Sequence, residues 1–228
     1  MRYVVITGGS SGIGDALVKL FSNNGDKVIS LDIKEPSIKV HGVIYKSVDI
    51  RNIEEIENAI KGILNIDILI NNAAVQYINP LKKLDNKHIK DMIDTNILGT
   101  INVTKTLIPY LKDGLIINVG SVHSSIAREN KIPYDMSKAA LSIFTKEIAL
   151  ELSNQSTRSI CVEFGAVKTP MNNDFVNKQE KESALSKQVI NHLMTSEECA
   201  EIIYELTTDK YKFMNGSVVT YDCGRSLK

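Results

Sequence analysis

The chain has 228 residues, 43% of them hydrophobic, which is enough to bury a substantial core in one domain. Lys plus Arg and Asp plus Glu both total 27, so the formal charge is zero; no basic block exists, aromatics are sparse, and a nucleic-acid partner is excluded. Cys161, Cys199 and Cys223 have neither metal-ligand nor disulfide-framework spacing, and no apolar run nears the ~20 residues of a membrane span. No metal and no membrane partner are therefore expected. Met1-Arg2 leads straight into a strand-like run without a signal peptide, so a cytoplasmic location is expected.

Tyr3-Val4-Val5-Ile6 is apolar and β-branched and reads as a buried strand. It runs into Thr7-Gly8-Gly9-Ser10-Ser11-Gly12-Ile13-Gly14, after which Ile13, Leu17, Leu20 and Phe21 recur at helical spacing as far as a stop at Asn23-Asn24-Gly25. Strand, glycine turn and helix in that order make a phosphate cradle. The helix N-terminus offers free N–H groups, and glycine lets the backbone approach the ligand. An ordinary strand-to-helix turn is also rich in glycine, so this motif alone is undecided.

Lys27 to Asp32 is a second strand ending in an acid, and Ile33 to Gly42 reads mostly as loop. Val43 to Val48 is a third strand, with Asp49 and Ile50 at its end, and Asn52 caps a helix whose first turn carries Glu54 and Glu55. Ile66 to Ile70 is a fourth strand, running into Asn71-Asn72-Ala73-Ala74. Helices follow over Asn86 to Asp94 and Asn96 to Lys112, the second thinned near Pro109. Leu115 to Val119 is a fifth strand, with Gly120-Ser121 at its end, and a polar loop leads to a helix from Tyr134 to about Leu152. Ser159 to Phe164 is a sixth strand, followed by Gly165 and a polar stretch to about Asn191, in which Lys178 to Lys187 reads as a solvated helix or lid face. A helix over Ser196 to Thr207 and a strand over Ser217 to Tyr221 complete the chain.

Strands alternating with helices predict an α/β fold: a Rossmann-like, doubly wound parallel sheet of about seven strands in a single three-layer α/β/α domain. Its cofactor half spans about 1–118 and its catalytic and substrate half about 119–228. Ligands in such sheets lie beyond the carboxyl ends of the strands, and Gly8, Asp32, Asp49, Asn72, Ser121 and Gly165 all fall at predicted strand ends.

The chain resembles the short-chain dehydrogenase/reductase family from Tyr3 to Gly224. The resemblance is carried by Thr7-Gly8-x-x-x-Gly12-x-Gly14, Asn71-Asn72-Ala73, Asn96, Ser121, Tyr134-x-x-x-Lys138 and the ending Asn215-Gly216 through Asp222-Cys223-Gly224. Each motif is weak singly, and a lone Tyr-x-x-x-Lys is more often a surface pair; their joint order and spacing are specific. Ala74, Ile160 and Phe164 depart from the family pattern of glycine, asparagine and proline, which bears on loop geometry and substrate class.

The resemblance implies that Tyr134 is the acid/base on the substrate oxygen, that Ser121 holds that oxygen, that Lys138 binds the ribose, and that Asn96 holds a water serving Lys138. A free tyrosine has a pKa of about 10, and an ammonium one helical turn away is expected to lower it. The resemblance further places Gly8, Ser10, Ser11, Gly12 and Ile13 at the cofactor phosphates and Asp49, Ile50, Asn72 and Ala73 around the adenosine. Gly165, Val167 and Thr169 fall to the carboxamide. Gln76 and His123 are candidate substrate contacts, His123 reading equally well as a solvated loop histidine, while Cys161 in its apolar strand is core filler.

Asp32, 18 positions after Gly14, suits the ribose hydroxyls of NAD and repels a 2′-phosphate; Ser10, Ser11 and Ile33 offer no compensating cation, and Lys34 comes one place later. The expected activity is NAD-dependent oxidation or reduction of a small-molecule alcohol or carbonyl. The alternatives are an NADP-dependent carbonyl or 3-oxoacyl-thioester reductase and a nucleotide-sensing interaction protein without turnover. Ala140, Leu141, Ile143, Phe144, Ile148, Ala149, Leu150 and Leu152 cover more than one stripe of the long helix, which predicts a homodimer or homotetramer.

Overall fold

The computed structural model describes residues 1–111, 113–172 and 178–228. Seven strands alternate with helices along the chain: β1 (Tyr3–Thr7), α1 (Gly12–Asn23), β2 (Lys27–Asp32), β3 (Ile44–Ser47), α2 (Ile53–Ala59), β4 (Ile68–Asn71), α3 (Asn86–Ile93) and α4 (Thr100–Leu107) come first. β5 (Leu115–Ser121), α5 (Ile132–Glu151), β6 (Arg158–Phe164), α6 (Lys178–Ser186), α7 (Ser196–Leu206) and β7 (Ser217–Tyr221) follow. The strands form one parallel sheet in the order β3-β2-β1-β4-β5-β6-β7. The chain reverses direction across the sheet between β1 and β4, and the crevice at such a switch point is where ligands bind in this architecture.

Apolar residues alternate along each central strand and bury both faces. On one side Ile6, Ile70, Ile117 and Ile160 pack with Leu17 and Phe21 of α1 and Cys199 and Ile203 of α7. On the other, Val5, Leu69 and Ile116 meet Ile56 of α2, Val103 and Leu107 of α4, and Ile148 of α5. A buried amide network crosses this second layer. Asn71 Nδ2 donates to Thr104 Oγ1 and Asn118 Oδ1, and Asn118 Nδ2 donates to Thr145 Oγ1, at 2.9–3.0 Å. It ties β4 and β5 to α4 and α5, and so fixes the long helix against the rim of the sheet. Cys161 is fully buried in β6, as expected of a core residue.

The expected elements differ from the observed ones mainly at their ends. β2 and β7 have the expected bounds, while β4 begins two residues later than Ile66 and β5 continues through Gly120 and Ser121. The reduced segment between Asp32 and Asp49 contains turns and β3, and Asn52 caps α2 through its side chain, accepting from the Glu54 and Glu55 N–H groups. The two helices expected over Asn86 to Lys112 form one path through a π turn at Asp94–Gly99; Pro109 lies in a short 3₁₀ turn, and Lys112 is outside the described residues. Within the polar stretch after Gly165, the expected solvated helix appears as α6.

Candidate active site

A cleft of about 400 Å³ runs across the carboxyl ends of the strands. At its head the glycine turn bends with Gly8 at φ +67° and Gly12 at φ +55°. Gly14 has no room for a side chain, because a Cβ there would lie 1.9 Å from the Gly8 carbonyl oxygen. Thr7 Oγ1 accepts from the Asn72 and Ala73 N–H groups, and Asn72 Nδ2 donates to the Thr7 and Gly8 carbonyls, all at 3.0–3.1 Å. Asn72 lines the cleft, yet its amide braces the turn. Ser11 stands at the N-cap of α1 without a side-chain capping bond, and Ser11, Gly12 and Ile13 face the cleft. Backbone N–H groups at that helix start suit a pyrophosphate, so the residues present fit a dinucleotide.

Asp32 lines the cleft at the end of β2, its Oδ2 accepting from the Ser10 N–H at 3.0 Å and its Oδ1 from the Lys34 N–H at 2.9 Å. Ser10 is not part of the described lining; its hydroxyl donates to the Lys34 carbonyl, so it shapes the Asp32 corner instead of meeting the cleft. Asp49, Ile50 and Ala73 do line the cleft. Arg51, absent from the sequence reading, bonds Asp49 at 2.6–3.0 Å and holds its carboxyl below the ordinary carboxylate range.

Ser121, Tyr134 and Lys138 converge on the middle of the cleft. Ser121 ends β5, while Tyr134 and Lys138 lie one turn apart on α5, so strand and helix together set the triad. Lys138 Nζ is 5.7 Å from the Tyr134 ring centroid and donates to the Val119 carbonyl at 2.7 Å. Burial pushes the Tyr134 phenol up to about 12, assisted by the nearby Asp135 charge and opposed by hydrogen bonding from Ser121. Burial likewise brings the Lys138 ammonium down to about 8. The expected lowering of the tyrosine by Lys138 is therefore not what this structure carries. Desolvation penalises the charged form of both groups.

Asn96 lies behind the cleft rather than in its lining. It sits in the π turn, 1% exposed, and is not part of the cleft lining. Its Oδ1 accepts from the Val75 N–H at 2.8 Å, and its Nδ2 donates to the Val75 carbonyl and to Ser137 Oγ, both at 3.0 Å. Ser137 Oγ donates in turn to the Tyr134 carbonyl at 2.7 Å. The side chain is thus engaged in joining the segment after β4 to the first turn of α5, with both N–H donors used. Ser137 had no sequence signal beyond its place between Tyr134 and Lys138.

Gly165, Val167 and Thr169 form the opposite wall, where Val167 bridges to Met194 and the Lys168 N–H donates to the Met194 carbonyl at 2.8 Å. Gln76 and His123 lie in a side cavity that opens off Ser121 and Tyr134. His123 Nδ1 is 3.2 Å from the Ile126 carbonyl, and burial, then the neighbouring cations, hold its ring down to about 4. The ring is neutral at pH 7. Glu163, another residue the sequence reading missed, accepts hydrogen bonds from Ser124 and Ser142 and pins the loop after β5 to α5. Among the described residues no cluster of His, Cys, Asp and Glu could hold a metal ion, and no helix is long and apolar enough to cross a membrane.

A profile of the short chain dehydrogenase family matches residues 2–180. The 3-oxoacyl-(acyl-carrier-protein) reductase of Thermotoga maritima is 30% identical over 239 aligned positions, which cover 98% of this chain and 97% of that one. Among solved structures, a short chain dehydrogenase family protein from Francisella tularensis superposes over the whole of both chains with a TM-score of 0.93 at 28% identity. A 4-hydroxyisoleucine dehydrogenase complexed with NADH does so with a TM-score of 0.91 at 28% identity.

Proposed function

We propose that this chain, which belongs to the short-chain dehydrogenase family, is an NAD(H)-dependent oxidoreductase acting on the alcohol or carbonyl group of a small molecule. The observation that carries this reading is the meeting of Ser121, Tyr134 and Lys138 in one cleft whose far corner holds the Asp32 carboxylate. NAD bound there would accept or supply the hydride. The remaining work falls to side chains of the chain itself. Tyr134 moves a proton to or from the substrate oxygen, and Ser121 Oγ holds that oxygen by hydrogen bond. Lys138 keeps a positive charge beside the phenol and offers N–H donors to ribose hydroxyls. Asn96 acts at one remove, through Ser137 and the Tyr134 carbonyl, by fixing the start of α5.

Asp32 supports NAD over NADP, since its two oxygens can accept from ribose hydroxyls while repelling a phosphate. The second reading, an NADP-dependent 3-oxoacyl-thioester reductase, draws on Lys34, which lines the cleft beside Asp32, and on the name of the Thermotoga maritima relative. We further propose that the enzyme works in the cytoplasm as a homodimer or homotetramer. Met136, Ile143 and Leu150 support the oligomer: they recur seven apart on α5 and are 60%, 55% and 73% exposed. Steady-state rates over a panel of sugars, polyols, hydroxy acids and steroids with both cofactors test the proposal. Turnover with NAD on at least one alcohol is expected. Higher kcat/KM with NADP throughout would replace it by the second reading, and no turnover on any substrate would refute both.

A further inference from the structure

The side cavity beside Ser121 and Tyr134 has a volume of about 50 Å³. Its wall carries Arg128, Lys131 and Arg225 together with Gln76 and Asn172, and none of its described lining residues is a carboxylate. Three cations gather around a space that size in a chain whose acidic and basic residues are equal in number.

Arg225 is placed there by a built turn. After β7, the buried Asp222 accepts from the Gly224 N–H at 2.9 Å and the Ser226 N–H at 2.7 Å, while its carbonyl accepts from the Arg225 N–H at 3.1 Å. Cys223 at φ +55° and Gly224 at φ +73° both adopt the left-handed conformation, which is unfavourable for a cysteine. The Cys223 carbonyl is held by the Val189 and Ile190 N–H groups, and the guanidinium is steadied by the Ala184 carbonyl at 3.2 Å. Lys131 is only 4% exposed, donates to Gln76 Oε1 at 2.9 Å and lies 5.5 Å from the Tyr134 ring centroid. Arg128 is anchored through its N–H to Asp135. The cations act on one another and on their neighbours. His123 is lowered by Lys131, Arg128 and Arg225 in addition to burial; Arg225 is lowered by burial and by Arg128 and raised by Asp222, while burial raises the neighbouring Asp135 and Lys131 and Arg128 lower it. The Arg128 and Arg225 side chains line the space itself, where an anion would meet both.

We propose that the side cavity binds a carboxylate carried by the substrate, so that the redox pair is a hydroxy acid and its oxo acid. This rests on the oxidoreductase reading above. A carboxylate matches the planar fork of an arginine and fits the small volume. Because Ser121 and Tyr134 belong to both the cleft and the cavity, the carboxylate stands within a few bonds of the reacting carbon.

The test compares 2-, 3- and 4-hydroxypentanoate with their methyl esters as substrates of the full chain with NAD. In parallel, calorimetry follows binding of the matching oxo acids and their esters to the protein saturated with reduced cofactor. At least one acid should exceed its ester by tenfold or more in kcat/KM. Arg225→Gln and Arg128→Gln should each reduce that ratio at least fivefold, through KM more than kcat, and Arg225→Lys should keep more of it than Arg225→Gln. Arg128 lies on an exposed loop, so its variant remains informative if Arg225→Gln fails to fold. Esters turned over as well as acids would overturn the inference and leave the oxidoreductase reading standing. An oxo acid bound in an Arg225-dependent way with no turnover of any acid or ester would overturn the assignment of the redox pair, while turnover of another alcohol would keep the oxidoreductase reading. Acids neither bound nor oxidised, or dihydroxyacetone phosphate preferred over every oxo acid, would overturn the inference.

Discussion

Asp32→Ala isolates the residue on which the cofactor assignment turns. The carboxylate already accepts one N–H on each oxygen, from Ser10 and from Lys34, and each oxygen keeps lone pairs for a ribose hydroxyl. A 2′-phosphate in the same place would face it with like charge. Two unit charges about 5 Å apart repel by about 1 kcal/mol at an effective dielectric constant of 80 and by about 3 kcal/mol at 20. The corner is partly open to solvent, so the lower half of that interval applies. A charge-assisted hydrogen bond to the ribose hydroxyls contributes about 1.5 kcal/mol more to NAD. At 1.4 kcal/mol per factor of ten, the unaltered protein should favour NAD by about fifty- to several hundredfold in kcat/KM. In the variant the repulsion is gone, the Ser10 and Lys34 N–H groups become donors to a phosphate oxygen, and the Lys34 ammonium stays nearby. The NAD:NADP ratio should therefore shrink ten- to a hundredfold, by loss of NAD and gain of NADP together. Initial rates with both cofactors measure it. Fluorescence titration of NADH and NADPH gives the same ratio without turnover. An unaltered protein that uses NADP equally well, or a variant whose ratio does not move, would refute the reasoning.

Tyr134→Phe removes the transferable proton and should lower kcat by ~10²–10⁴-fold while cofactor affinity, read by fluorescence titration, stays within about threefold; retention of most of the turnover would refute its role. Light scattering at micromolar concentration should return at least a dimer mass, and Ile143→Glu with Leu150→Glu should shift it toward monomer; a monomeric unaltered protein would refute the α5 interface. His123 and Asp135 face each other at 3.8 Å, and burial holds the first down to about 4 and the second up to about 6. The unfolded chain protonates His123 first as pH falls from 6.5 to 4, so stability is lost there, while folded Asp135 takes its proton first between pH 6 and 3.8, so stability is regained. The two contributions offset. Asp135→Asn removes the second, so the variant should exceed its parent by about 1–3 kcal/mol at pH 7 in denaturant melts and lose that margin as pH approaches 4; parallel pH profiles would refute the upward shift of Asp135.

The parallel sheet was legible because its strands are short apolar runs closed by glycine, asparagine or aspartate, as at Lys27–Asp32 and Ser217–Tyr221. The π turn was not. A turn of that kind holds one residue more than an α turn, and apolar periodicity over Asp94–Gly99 is too short to register the slip. At the end of the π turn a Cβ on Gly99 would come within 2.7 Å of the Ile50 side chain, so this glycine lets the helical path pass close beside the segment after β3.

The same distinction separates the legible part of the site from the rest. Gly8, Asp32, Ser121, Tyr134 and Lys138 reach the cleft through their own strand end or helix turn, so local order in the sequence locates them. Asn96 was legible as a position, but not in its bonding: its amide is taken up by Val75 and Ser137, 21 and 41 residues away. Arg51 is found at the cleft because it closes on Asp49, two residues back, a local pair that the strand-end pattern passes over. Arg225 lies furthest from any local signal. It faces Tyr134 only because Asp222, Cys223 and Gly224 fold the end of the chain back over residues 184–190. Residues placed by local geometry are thus readable from order and spacing, whereas those lining the side cavity depend on which distant segments close it. The proposed hydride chemistry therefore rests on residues at the strand ends and on one helix turn, and the proposed carboxylate site on the folded turn that carries Arg225.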